Sequence, residues 1–165
     1  MPENSSVSRL PIDVVSRSDI FQLYRELKNL SDSIEQAAVV EGAPAPQVRV
    51  GERLARLAKV NALDINNGTH RGILLAHLGN LKEAAPVVHM AFTNEPSQAT
   101  TESILSWLRR EASPFVLLHV GIRPSMVAGC FVRTPTKVFD LTLRRHLEAA
   151  KVDLRERIHG LWTPT

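Results

Sequence analysis

The chain holds a single cysteine, Cys130, and a thiol is the side chain here most readily made into a nucleophile. That takes a neighbouring imidazole, ammonium group or helix N-terminus to lower its pKa. His89 and His119 stand in apolar runs of strand length, so a fold that sets those runs beside Cys130 would supply a base. The opposing reading is an inert thiol, because Cys130 follows Gly129 inside an apolar run, the usual setting of a buried cysteine. The six histidines form no HxH, HxxxH or HxxE cluster with the carboxylates, and His70 and His77 lie seven apart, so no metal site is signalled. Gly121, Gly129 and Gly160 lack the spacing and the Lys-Ser or Lys-Thr ending of a phosphate loop, and no cofactor is expected. Asp140 has two readings: an N-cap for a following helix, contributing about 0.5 to 2 kcal/mol, or a contact to a partner.

These side chains need elements to carry them. Residues 115–120 form a short apolar run between Pro114 and Gly121, the length of a buried strand, and 126–133 form a second. Ile122, Arg123, Pro124 and Ser125 supply a turn between them, which predicts a hairpin. Gly129, inside the second run, marks a bulge or a close backbone approach. Thr134 to Lys137 break the strand, Val138 and Phe139 restart it, and a helix follows over about 140–160. Leu143, Leu147, Ala150, Leu154, Ile158 and Leu161 recur at spacings of three or four and share one stripe, with Arg144, Arg145, Glu148, Lys151, Arg155 and Glu156 elsewhere around the cylinder. At about 1.5 Å per residue such a helix runs on the order of 30 Å. A two-stranded hairpin cannot cover that length, so the stripe calls for another surface.

Upstream, Ser16 to Asp19 supply capping residues before Ile20, Leu23, Leu27, Leu30, Ile34 and Ala37, a helix ending by Gly42. Pro44 and Pro46 make 43–47 a linker, and a second helix covers 51–62. Asn66, Asn67 and Gly68 form a turn from which Thr69 or His70 opens a third helix, reaching Ala84. Residues 10–15 read as a short extended piece. After Pro86 come a strand at 87–93, a helix at 100–112 with Trp107 adjoining its inward face, and the strand at 115–120, whose right-handed crossover makes the two strands parallel neighbours. The fold class expected is α+β. A mainly helical N-terminal domain, 1–85, precedes a small βαββα unit, 86–165, that ends in the long amphipathic helix.

Length and composition bound the function. At 165 residues, 44% of them hydrophobic, the chain can bury one core or two small ones. The net charge is only +3 and acids are interleaved with the cations, a weak electrostatic footprint for nucleic acid. One cysteine excludes an internal disulfide and fits a reducing compartment. No apolar run approaches the roughly 18 to 20 residues of a spanning helix, and 1–8 are polar, which predicts a soluble or peripheral protein of the cytoplasm.

Pro124, Met126 to Gly129, Phe131 to Arg133, Lys137 to Asp140, Thr142 to Arg144 and Leu147 together resemble the C-terminal signature of the delta subunit of bacterial F-type ATP synthases, the family of the mitochondrial oligomycin-sensitivity-conferring protein. The resemblance runs over roughly 86–151. It implies a non-catalytic peripheral-stalk subunit, at the inner face of the cell membrane and touching that membrane only indirectly. Its implied partners are the alpha and beta subunits of the headpiece and the b-type stalk, with no nucleic acid among them. It also gives Leu143, Arg144, Leu147, Ala150, Leu154 and Ile158 an expected role in partner binding, with Gly129 and Asp140 as structural motif residues. The family's N-terminal domain is a six-helix bundle, whereas three helices are placed here before Pro86, a reduced or divergent version. Two other classes stand beside this one. A small basic nucleic-acid-binding adaptor would use the sheet face and the Arg-bearing last helix, against an aromatic content of only 5%. A Cys130-dependent hydrolase or transferase is the other.

Overall fold

The computed structural model describes residues 9–39, 50–126, 128–144, 148, 150, 151, 155 and 158. Among them the mixed α+β class holds, with four helices and a four-stranded sheet. They are α1 Arg17–Val39, α2 Glu52–Val60, α3 Gly68–Ala84, β1 Val87–Phe92, α4 Gln98–Glu111, β2 Leu117–Ile122, β3 Gly129–Arg133 and β4 Val138–Thr142. The described residues of 143–158 beyond β4 are helical. The linker expected at 43–47 lies outside the described residues. Two compact units emerge, one of Met1–Val87 with Ala99–Leu118 and one of Val88–Gln98 with His119–Thr165, so α4 groups with the N-terminal helices although it follows β1 in the chain. No described helix is long and apolar enough to cross a membrane.

In the helical unit, α1 packs against α2 and α3. Ile20, Leu23 and Leu27 meet Leu54, Leu57, Leu74 and Leu78, all fully buried, each contributing roughly 1.5 to 3 kcal/mol. The start of α1 is a reciprocal cap, as the polar residues there predict. The Asp19 amide donates to Ser16 Oγ at 3.3 Å while Asp19 Oδ2 accepts from the Ser16 amide at 2.8 Å and the Val15 amide at 3.1 Å. Arg53 closes the site with a 2.8 Å ion pair to Asp19. Asn67 caps α3, its side chain accepting from the Thr69 and His70 amides.

Residues 10–15 are not a strand. The Val14 amide donates to Pro11 O at 3.1 Å and closes a turn, leaving carbonyls that a single half-buried guanidinium collects. Arg109 of α4 donates to Leu10 O at 3.2 Å, Pro11 O at 2.8 Å, Val14 O at 2.5 Å and Val116 O at 3.3 Å. Burial pushes this guanidinium down to about 10, partly offset by Asp13, which still leaves it charged at neutral pH. Trp107, placed beside the core by its spacing, is 54% exposed. The buried residues of α4 are Leu105 and Leu108, and Ile104 is half-buried.

The sheet order is β2-β1-β3-β4. Hydrogen bonds from the Leu117 amide to Pro86 O and from the Arg123 amide to Phe92 O span the same sequence separation, the mark of parallel strands, so β1 and β2 pair as the crossover rule predicts. The hairpin expected between β2 and β3 does not form. β3 pairs antiparallel with β1, and the 123–128 connection carries the chain past β1. The reason is burial: β1 holds Val88 and Met90 in the core, and the central position satisfies the backbone groups on both of its edges. β4 completes the sheet antiparallel to β3.

Asp19→Asn is expected to destabilise the fold by about 1 kcal/mol at neutral pH. Burial alone would raise the Asp19 carboxyl, but the bonds from Ser16 and Val15 and the charge of Arg53 hold it below its ordinary range. A depressed carboxyl stabilises above the unfolded-state pKa and loses that contribution as pH falls through the folded value. Urea titrations across acidic pH should therefore show the gap between wild type and Asp19→Asn closing on acidification.

Candidate partner-binding surface

β3 and β4 position everything that follows them. Gly129 pairs with Thr142 at φ +102°, a backbone conformation that L side chains rarely adopt. A Cβ there would stand 2.8 Å from Thr142 Cα and closer still to Leu141 O. The close approach expected at this glycine is thus a contact with β4. Asp140 does not cap the helix: it lies in β4, and its Oδ1 accepts from the Thr142 amide at 3.0 Å and Thr142 Oγ1 at 2.6 Å. Helical backbone begins at Leu143, so Thr142, buried, occupies the boundary and Asp140 orders it from two residues away.

Beyond that boundary, Leu143 is 49% and Ile158 51% exposed, and Ala150 is exposed too. Arg144 is exposed and donates to Glu148 at 2.9 Å across one helical turn, a pairing that raises its pKa. Leu147 and Leu154 lie outside the described residues. The described apolar members of the stripe are therefore uncovered by their own chain. The uncovered apolar surface starts earlier than the periodicity indicated, since Phe139 and the 60%-exposed Leu141 of β4 belong to it. The signal was present in the run Val-Phe-Asp-Leu, where Phe139 and Leu141, two apart on an edge strand, share one face of the sheet.

The register separates Cys130 from both candidate bases. Cys130 pairs with Phe92 and Leu141, whereas His89 pairs with Arg133, so the thiol and the imidazole point to opposite faces of the sheet. His119 sits with His89, ring centroids 5.0 Å apart. Burial pushes the half-buried thiol up, away from thiolate. His70 and His77 serve local packing. His70 Nδ1 accepts from the Asp64 amide at 3.0 Å, and His77 meets Phe115 edge to face at 4.9 Å, where burial lowers its pKa. No group of three metal-binding side chains occurs among the described residues.

The exposed apolar side chains of β4 and of the described residues after it are the surface this geometry offers to a partner. The chain is 26% identical over 154 residues to the ATP synthase subunit delta of Methylorubrum populi, covering 87% of this chain and 82% of that one. The corresponding protein of Methylorubrum extorquens gives the same identity over 155 residues with the same coverage. The chain is similar to ATP synthase delta subunits over most of its length. The similarity reaches well beyond 86–151, because 87% of the chain must include much of the N-terminal half. No family model matches. A chain in the cryo-EM structure of the Toxoplasma gondii mitochondrial ATP synthase hexamer aligns with 84% of this chain and 94% of its own at a TM-score of 0.35 and 15% identity, too distant to add to the argument.

Gly129→Ala is expected to cost about 2 to 4 kcal/mol, from left-handed strain together with overpacking against β4, and to lower the melting temperature in a thermal scan. Alkylation of Cys130 by iodoacetamide should be slower at neutral pH than that of a free cysteine, and its rate should inflect at higher pH. Mass spectrometry of timed aliquots across alkaline pH reads both.

Proposed function

We propose that the chain is a peripheral-stalk subunit of a rotary ATP synthase, non-catalytic, linking the alpha/beta headpiece to a b-type stalk. The observation that carries this reading is the similarity to ATP synthase delta subunits over 87% of the chain. The exposed apolar surface at Phe139, Leu141, Leu143 and Ile158 supports it, since a subunit that works by gripping others must keep such a surface uncovered until assembly. The N-terminal helical part, 1–85, meets the headpiece, and the C-terminal part, 86–165, meets the stalk. Leu143, Leu147, Ala150, Leu154 and Ile158 form the grip, burying against partner helices in a groove, with Arg144 at its rim. Several such contacts made together raise the effective concentration of each, so the stator resists rotor torque without any single tight site. Contact with the membrane is indirect, through partners, on the cytoplasmic side.

The test is affinity purification of the tagged chain from its native cells. Recovery with alpha, beta and b subunits supports the reading, and recovery only as a free monomer overturns it. Leu143→Asp and Ile158→Glu should weaken stalk binding roughly 10- to 100-fold, the equivalent of one buried aliphatic side chain each, with the monomer's melting temperature unchanged.

A further inference from the structure

The outer strand of a sheet offers a row of backbone donors and acceptors to any strand that comes alongside. The order β2-β1-β3-β4 makes β4 such a strand. The Thr134 amide donates to Lys137 O at 2.8 Å and the Leu143 amide to Ala128 O at 3.0 Å, so the bonded positions of β4 against β3 alternate as Lys137, Phe139, Leu141 and Leu143. Val138, Asp140 and Thr142 therefore turn their backbone groups away from β3. Into that row Asp140 sets its own carboxylate, Oδ1 accepting from the Thr142 amide at 3.0 Å and from the Thr142 hydroxyl at 2.6 Å. Aspartate is depleted in strands and its register partner is the apolar Phe131, so cross-strand pairing does not account for it. An asparagine oxygen could accept the same two bonds, and what the carboxylate adds is charge. The rest of the strand invites pairing: Val138 is 58% and Leu141 60% exposed, and Val-Phe-Asp-Leu-Thr contains no proline and one charge. At the opposite edge the start of β2 is already occupied, the Leu118 amide donating to Val15 O at 2.8 Å and Val116 O accepting from Arg109 Nε at 3.3 Å.

We propose that Asp140 guards the free edge of β4 against strand addition, above all by a second copy of this chain. An incoming strand needs the Thr142 amide, which is taken, and must strip water from a carboxylate while bringing its own carbonyl oxygens up against it. A second copy pairing antiparallel about residue 140 would set two Asp140 carboxylates opposite each other, a repulsive cross-strand pair. A helix meets no such obstacle, because its backbone groups are satisfied internally and it docks through side chains. The guard thus leaves Phe139 and Leu141 open to side-chain contacts while withholding the backbone beside them. The inference rests on the geometry of β4 and stands whether or not the chain serves a synthase.

The experiment compares the self-association of full-length wild type, Asp140→Ala and Asp140→Asn by sedimentation equilibrium over a concentration series at neutral pH, with circular dichroism to verify that each is folded. Asp140→Ala should associate roughly tenfold more tightly than wild type, the worth of about one net hydrogen bond, and hydrogen exchange at the amides of 138 and 142 should slow in the associated form. Asp140→Asn keeps an acceptor for Thr142 and loses only the charge, so it should fall between the two. Val138→Pro added to either variant removes an outward amide from an edge strand and should restore the wild-type association, which it would not do for a protein that had merely exposed its core. If Asp140→Ala does not fold, the Asn variant with and without Val138→Pro carries the same comparison. Association unchanged in every folded variant would overturn the proposal. So would tighter association that Val138→Pro leaves in place, or that leaves exchange at 138 and 142 unaltered.

Discussion

The antiparallel contact between Gly129 and the Leu141–Thr142 backbone is the constraint on which the C-terminal unit depends. It is possible only without a side chain at 129, and it fixes the register of β3 on β4. That register decides where the last strand stops and where helical backbone begins. Through the pairing of β3 with β1 it also decides which side chains share a face. One residue of slip would exchange the faces, bringing Cys130 to the side of His89 and His119 and turning Arg133 inward. The same contact thus separates a thiol from two imidazoles.

The helical unit relies on a different economy. Its core is aliphatic and close-packed, but the turn at residues 10–15 has no ladder partner for several of its carbonyls. Arg109 resolves this with the planar fork of one guanidinium, whose donors reach four carbonyl oxygens at once. A lysine could not span them, and an apolar residue would leave buried acceptors unsatisfied, a cost of about 1 to 3 kcal/mol for each. The Leu118 amide, donating to Val15 O at 2.8 Å, ties the end of the same turn.

Much of this was legible in the sequence. All four helices follow from apolar periodicity, the Ser16–Asp19 cap from residue type and spacing, the parallel pairing of β1 with β2 from the handedness of crossovers, and the special role of residue 129 from a glycine inside an apolar run. The β2–β3 hairpin was misread because a Pro-containing turn between two apolar runs looks the same whether its strands pair or are parted by a third. Asp140 was misread as a cap because an acidic residue before a helical stripe does not reveal that two more residues of strand intervene. The uncovered residues of β4 were missed because their exposure depends on β4 lying at the edge of the sheet, a place that the run itself does not declare.

What the sequence by itself determined is the set of local elements and their ends, because helical period, caps and chain breakers act within a few residues of one another. Strand order, register and exposure were decided only by the tertiary structure. Several strand orders satisfy the same local patterns, and the choice falls to the competition among distant segments for a partner on each edge of β1 and for the limited buried face of the sheet. That competition set Cys130 and His89 on opposite faces of the sheet and left the described apolar members of the C-terminal stripe exposed.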